Sequence, residues 1–179
     1  MPRPYRLGRR QELVDRTAQS ILSAARELVS RSPAAEVSVG QIARRAGVSR
    51  LTVYQRFGSR TGLLEALRPT AHATREFDGD ARAALHRHLV EACSAWAAEP
   101  ALHRHLPAAG GAEPETDRRL AERLLAADVL RPGCSLREAE DVIGALSSFA
   151  VFDRLHRDGR RSPTAVADIL MRLAGGILA

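Results

Sequence analysis

The 179-residue sequence contains neither lysine nor asparagine, and all 27 of its basic residues are arginine. Both missing residues have AT-rich codons, so a high-GC genome explains the arginines, and their number alone is no sign of a nucleic-acid partner. Aromatic residues form only 4% of a chain that is 45% hydrophobic. The core must therefore be built from Leu, Ala, Val and Ile, a set that favours helices. No run of about 18 apolar residues occurs, which excludes a membrane span. The start, Met1-Pro2-Arg3-Pro4-Tyr5-Arg6, is basic but leads into no apolar segment of the kind that directs export. A cytoplasmic protein with no membrane partner is the expectation. The two cysteines, Cys93 and Cys134, lack metal-type spacing and read as ordinary thiols of a reducing compartment.

What is present is unevenly distributed. Residues 1–68 carry 13 arginines against Glu12, Asp15, Glu27, Glu36 and Glu65, a net of +8, whereas residues 69–179 are net −2. Codon bias cannot segregate acids in this way. A basic first third on a near-neutral body is the electrostatic signature of a phosphate-binding module on a carrier.

Periodicity predicts an all-α chain. Residues 1–10 read as a flexible basic arm, and the stripe Ala18, Ile21, Leu22, Ala25, Leu28, Val29 marks a first helix ended by Arg31-Ser32-Pro33. Ser38 with Gln41 forms a capping box for a short helix that Gly47 stops. Ser49 caps a second, running from Arg50 to about Phe57, and Gly58-Ser59 separates it from a helix reaching Arg68. That helix, continuous with both the short helix before it and the body after it, is the expected lever between them, and Gly62 within it lowers its stability by about 1 kcal/mol relative to alanine, so that it bends. Pro100 to Pro114 reads as a loop. Helices are then expected over Thr116–Leu130, from Ser135 (with Glu138 as a second capping box) to about Arg157, and from Pro163 to Ile177. The domain division expected is an arm (1–10), a helix-turn-helix domain (11–58) and a helical body (59–179).

The two short helices carry the chemistry. A helix-turn-helix needs a small residue at its crossing, a tight turn, and apolar residues fixing the second helix. Ala43, the turn Ala46-Gly47-Val48-Ser49, and the set Ile42, Val48 and Val53 meet these needs. Arg50, Leu51, Thr52, Tyr54, Gln55 and Arg56 are then left on or near the free surface, as donors and one apolar tip for base edges and phosphates.

With its turn, its spacing and its Tyr54-Gln55-Arg56-Phe57 element, the stretch Ser38 to Arg60 resembles the DNA-binding domain of the TetR family of regulators. The resemblance runs from about Thr17 to Leu67, under a third of the chain. It implies a three-helix DNA-binding domain followed by a helical domain for ligand binding and dimerisation. It also implies phosphate contacts at Tyr54 and Arg60, a groove-facing set of Arg50, Leu51, Thr52 and Arg56, and Val39 and Gly40 against the DNA backbone. Ser49, the cap, is counted with this DNA-facing set. Two positions depart from the family pattern: Leu51 replaces a small residue, and Pro69 falls where the fourth helix of many members continues.

Elsewhere the signals are weaker. Phe77, Leu89, Trp96, Leu124 and Phe149, with Phe152, are candidates for an effector pocket, although each alone reads more readily as plain core. Leu146, Val166, Ile169, Leu170 and Leu173 are the expected dimer interface. His86-x-His88 and His103-x-His105 invite a metal reading, but histidines two apart on a helix point to different faces. No nucleophile elbow, phosphate-binding glycine loop or zinc-protease pair is present. The expectation is a homodimeric regulator of double-stranded operator DNA, not an enzyme, without cofactor or metal, and answering to a small hydrophobic effector. A regulator without an effector, and a DNA-acting enzyme that docks through the motif, are the alternatives.

Overall fold

A computed structural model describes residues 5–68, 79–106 and 114–179, with side chains for 15–68, 79–106 and 115–179. In chain order the helices are α1 (Tyr5–Arg31), α2 (Val39–Ala46), α3 (Arg50–Phe57), α4 (Arg60–Glu65), α5 (Ala81–Ala98) and α6 (Pro100–His105), followed by α7 (Pro114–Ala126), α8 (Leu136–Leu146), α9 (Phe149–Asp153) and α10 (Pro163–Ala174). A 3-10 turn, Ala34–Glu36, precedes α2, and α9 continues into a π-helical turn, Arg154–Asp158. The fold is all-α. Among the described residues the one β-type pairing is an antiparallel bridge between Leu130 and Leu178.

The chain divides into two compact units. One comprises the described residues up to 68 together with 101–106, and the other comprises 79–100 and 114–179. The first unit is built by local signals. Ser38 accepts from the Gln41 amide at 3.2 Å while its own amide donates to Gln41 Oε1 at 2.7 Å, completing the capping box. Gly47 ends α2 at φ 70°, ψ 30°, a left-handed conformation that costs a residue with a Cβ about 1–2 kcal/mol. Ser49 and Ser59 then cap α3 and α4 by accepting from the amides of Thr52 and Gly62. The core of this unit joins Ile21, Ala25 and Val29 of α1 to Ile42, Ala43, Val53, Leu63 and Leu67.

That core differs from expectation in three ways. Leu63, Leu64 and Leu67 belong to it, so the boundary expected at residue 58 lies instead beyond α4. Residues 100–105 are helical rather than loop, and Leu102 and Leu106, 0% and 6% exposed, complete the same core from far along the chain. His105 Nδ1 lies 2.7 Å from the Val29 carbonyl oxygen, fastening this late segment to α1. Finally, α1 begins at Tyr5, so most of the expected arm has helical backbone. From Tyr5 to Arg31 only Gly8 opposes continuation.

In the second unit α10 packs on α5 and α7 on α8. Its core includes Leu85, Leu89, Cys93, Leu120, Leu124, Ile143, Phe152, Val166 and Leu170. The single helix expected from Ser135 to Arg157 is broken at Ser147-Ser148. The Ser148 hydroxyl accepts from the Val151 amide at 3.4 Å, and Ser147 Oγ is 3.2 Å from His88 Nε2. A serine offers the backbone an alternative to helix, and Ser148 is used in that way here. Of the second capping box, the Ser135 half is present, at 3.1 Å from the Glu138 amide. The chain end folds back on its own unit: the Arg131 amide donates to the Ile177 carbonyl and the Ala179 amide to that of Val129, both at 2.9 Å.

Candidate nucleic-acid interface

The second helix of the motif, α3, has two unlike sides. Val53 is 1% exposed, fixed among Ile42, Ala43 and their neighbours, whereas Leu51 is 65% and Tyr54 44% exposed. Arg50, Gln55 and Arg56 are exposed with them, and Thr52 is half-buried, its hydroxyl 2.9 Å from Ser49 Oγ. Thr52 and Ser49 therefore act first on the start of α3 itself. A solvent-exposed leucine costs apolar burial, and a methyl-bearing base edge is the kind of partner that would recover it.

At the start of α2, Val39 is buried in the core and Gly40 is covered. The Val39 side chain is thus not available to DNA, and what α2 can offer there is its first backbone amides. These have no acceptor within the helix and carry the positive end of its dipole. The Arg50 guanidinium lies across Gly40.

Three further arginines are engaged by the scaffold. Arg45 donates from Nε to Glu27 Oε2 at 2.9 Å and from Nη2 to Oε1 at 2.6 Å, tying α2 to α1, and Arg31 Nη2 reaches the same carboxylate at 3.1 Å. The hydrogen bond from Arg45 holds the Glu27 carboxyl below the usual glutamate range. Ser20 adds a second tie, donating to the Ala46 carbonyl at 3.3 Å. Arg60 is half-buried; it donates from Nε to the Val37 carbonyl at 3.3 Å and from Nη2 to that of Ala34. It thereby joins α4 to the segment entering α2, a role its sequence position does not announce. Gly62, expected to soften α4, has a different necessity: a methyl there would press on the Phe57 carbonyl.

The remaining candidates fall in the second unit or outside the described residues. Phe77 lies outside them. Leu89 and Leu124 are wholly buried, while Trp96 and Phe149 are half-buried with ring centroids 6.2 Å apart. Phe152 is 5.4 Å from Trp96, and its other side stacks on His156 at 4.9 Å, a neighbour that sequence reasoning missed. The expected dimer stripe divides. Val166 and Leu170 are 0% exposed within their own chain and Leu146 is buried there, whereas Ile169 is half-buried and Leu173 is 56% exposed. The reason is that α5 covers the Val166–Leu170 side of α10.

The reactive side chains described in this unit stand apart from one another. Cys93 is buried, and burial pushes its thiol up to about 12. His86 Nε2 is 3.2 Å from Asp168, away from the Ser147 partner of His88. Among the described residues no group of three or more His, Cys, Asp or Glu is placed to hold a metal ion. Nor is any described helix long and apolar enough to cross a membrane.

A short helix fixed by one side in a core, with arginines, a phenol and an amide on the other, is shaped to lie in the major groove of DNA. The first unit is a helix-turn-helix DNA-binding domain. Residues 21–67 match the model of the bacterial regulatory proteins of the tetR family. Over that stretch the chain is similar to the DNA-binding domain of TetR-family transcriptional regulators.

Solved structures extend the likeness beyond that domain. NalD of Pseudomonas aeruginosa, the secondary repressor of the MexAB-OprM multidrug efflux pump, is 26% identical, with a TM-score of 0.71 over 93% of this chain and 98% of that one. The regulator FadR of Bacillus subtilis, solved in complex with stearoyl-CoA, is 17% identical with a TM-score of 0.67 over 87% and 96%. TylP of Streptomyces fradiae is 18% identical with a TM-score of 0.65 over 91% and 86%. No curated protein sequence matches the chain.

Proposed function

We propose that the protein is a homodimeric repressor that leaves its operator when a small hydrophobic molecule binds in the second unit. The carrying observation is the asymmetry of α3, with Val53 locked in the core and Leu51, Tyr54 and three polar side chains presented outward. In this reading Arg50 takes a guanine edge and Leu51 a thymine methyl. Gln55 and Arg56 face the groove, Tyr54 contacts a phosphate, and the first amides of α2 approach another. Arg60 adds its charge to the phosphate set from a fixed position on α4.

One eight-residue helix reads few base pairs, so two copies related by a two-fold axis are needed to read half-sites about 34–36 Å apart. The exposed side of α10, Ile169 and Leu173, is the surface proposed for the pairing. The half-buried Trp96 and Phe149 are the proposed edge of an effector site. Support for repression and for a hydrophobic effector comes from NalD, a repressor of a drug efflux pump, and from FadR, seen with a long-chain acyl-CoA.

The test is selection of bound fragments from sheared source DNA, followed by titration of the recovered operator with and without hydrophobic candidates chosen by thermal shift. Recovery of palindromic sites released by one such compound is the expected result. Binding without sequence preference would defeat the reading.

A further inference from the structure

Arg50 and Gly40 stand on different helices, and their relation suggests how the reading arginine is aimed. A methyl on Gly40 would stand 2.6 Å from Arg50 Nη2, 2.8 Å from Nε and 2.9 Å from Cζ. These are closer than a real side chain tolerates, so the guanidinium occupies the space that a residue with a Cβ would fill. Arg50 is the first residue of α3, and side chains on a helix lean toward its N-terminus. Across the Gly47 turn that direction leads to the opening turn of α2. Attraction does not hold the arginine there, because a helix N-terminus carries partial positive charge. Room holds it there.

We infer that Gly40 is a positioning residue for operator specificity: by lacking a side chain it seats the Arg50 guanidinium across the start of α2 and so determines which base pair Arg50 reads. The inference rests on the proposed role of Arg50 as a base contact. A side chain at position 40 would swing the guanidinium by the width of a methyl group or more. That displacement is small beside the helix but comparable to the spacing between acceptors on neighbouring base edges. Because the group displaced is the far end of a flexible, exposed side chain, the fold itself would be little disturbed.

The experiment compares base preference for the full-length wild type, Gly40→Ala, Arg50→Ala and the double variant, each selected against a randomised duplex pool. Thermal melts accompany the selections, to show that all four proteins are folded. Arg50→Ala is expected to relax preference about tenfold at one symmetric pair of positions, the discrimination lost with a bidentate contact. Gly40→Ala should alter preference at those same positions and no others, and in the Arg50→Ala background it should change nothing further. If Arg50→Ala relaxes a position that Gly40→Ala leaves untouched, the positioning role is overturned while the base contact stands. If Gly40→Ala weakens binding to all sequences equally, position 40 is merely structural and the inference fails. If Arg50→Ala leaves every preference unchanged, the base contact falls and the positioning role falls with it.

Discussion

The two units of this chain are held together in different ways. In the first, α2, α3 and α4, of six to eight residues, are each opened by a serine whose hydroxyl accepts from the backbone, and the turns between them are made by glycines at positive φ. Such helices are too short to be stable alone, so their geometry is imposed by caps and by one small core. In the second, α5 and α10 are longer and pack side by side, and the fold is set by which faces meet. An element that must present side chains to a rigid duplex is defined locally, residue by residue. The second unit is defined by contacts distant in sequence.

The largest effect should come from Leu102, which belongs to the first unit despite its late place in the sequence. Leu102→Ala removes a fully buried side chain from the first unit's core and should cost about 2–5 kcal/mol. Hydrogen exchange should report the loss in α1 to α4. Loss confined to α5 and α10 would break the comparison. Next is assembly, where position decides: Leu173→Arg should give folded monomers with weak operator binding, whereas Leu170→Arg should unfold the second unit, since Leu170 is buried in its own chain. Sedimentation and circular dichroism separate the two, and dimeric Leu173→Arg would remove α10 from the interface.

Gly47→Ala should destabilise the first unit by about 1–2 kcal/mol through its left-handed turn, read by chemical denaturation with the second unit unchanged. Arg60→Ala should lower affinity for all sequences and flatten the salt dependence by about one unit if the guanidinium also reaches a phosphate. A lost affinity with an unchanged salt slope would leave Arg60 only its bonds to Ala34 and Val37.

The smallest effect is acidic. The folded state keeps Glu27 ionised to lower pH than the unfolded chain does, because Arg45 bonds the carboxylate. The stabilisation is therefore complete above the ordinary glutamate value of 4.5 and disappears as pH falls through the lower folded value. Glu27→Gln should remove that part of the acid sensitivity, seen as a smaller loss of melting temperature between neutral and strongly acidic solution.

These contrasts also explain what could be read in advance. The caps at Ser38, Ser49 and Ser59 and the stop at Gly47 were legible because each depends on residues no more than four apart. The π-helical turn after α9, the helix α6 and the covering of Val166 and Leu170 were not. They depend on which distant surface is available, and periodicity does not carry that. At the site, the types and exposure of Leu51 and Tyr54 followed from the helix-turn-helix spacing, while the engagement of Arg60 with two carbonyls did not. An arginine's partners lie at the end of a long side chain, beyond any pattern in its neighbours.

The late position of α6 has a consequence for how the protein is made. During synthesis α1 to α4 emerge first, yet their core lacks Leu102 and Leu106 until a further 40 or so residues have left the ribosome. Each leucine contributes about 1.5–3 kcal/mol on burial, a large share of what a unit this small can hold. A nascent chain cut short in α5 would thus carry the whole recognition helix on an incomplete core. Such a fragment would be a substrate for proteolysis before it could compete for operators. The insertion of α6 means that the first unit's core is completed only after α5 has been translated.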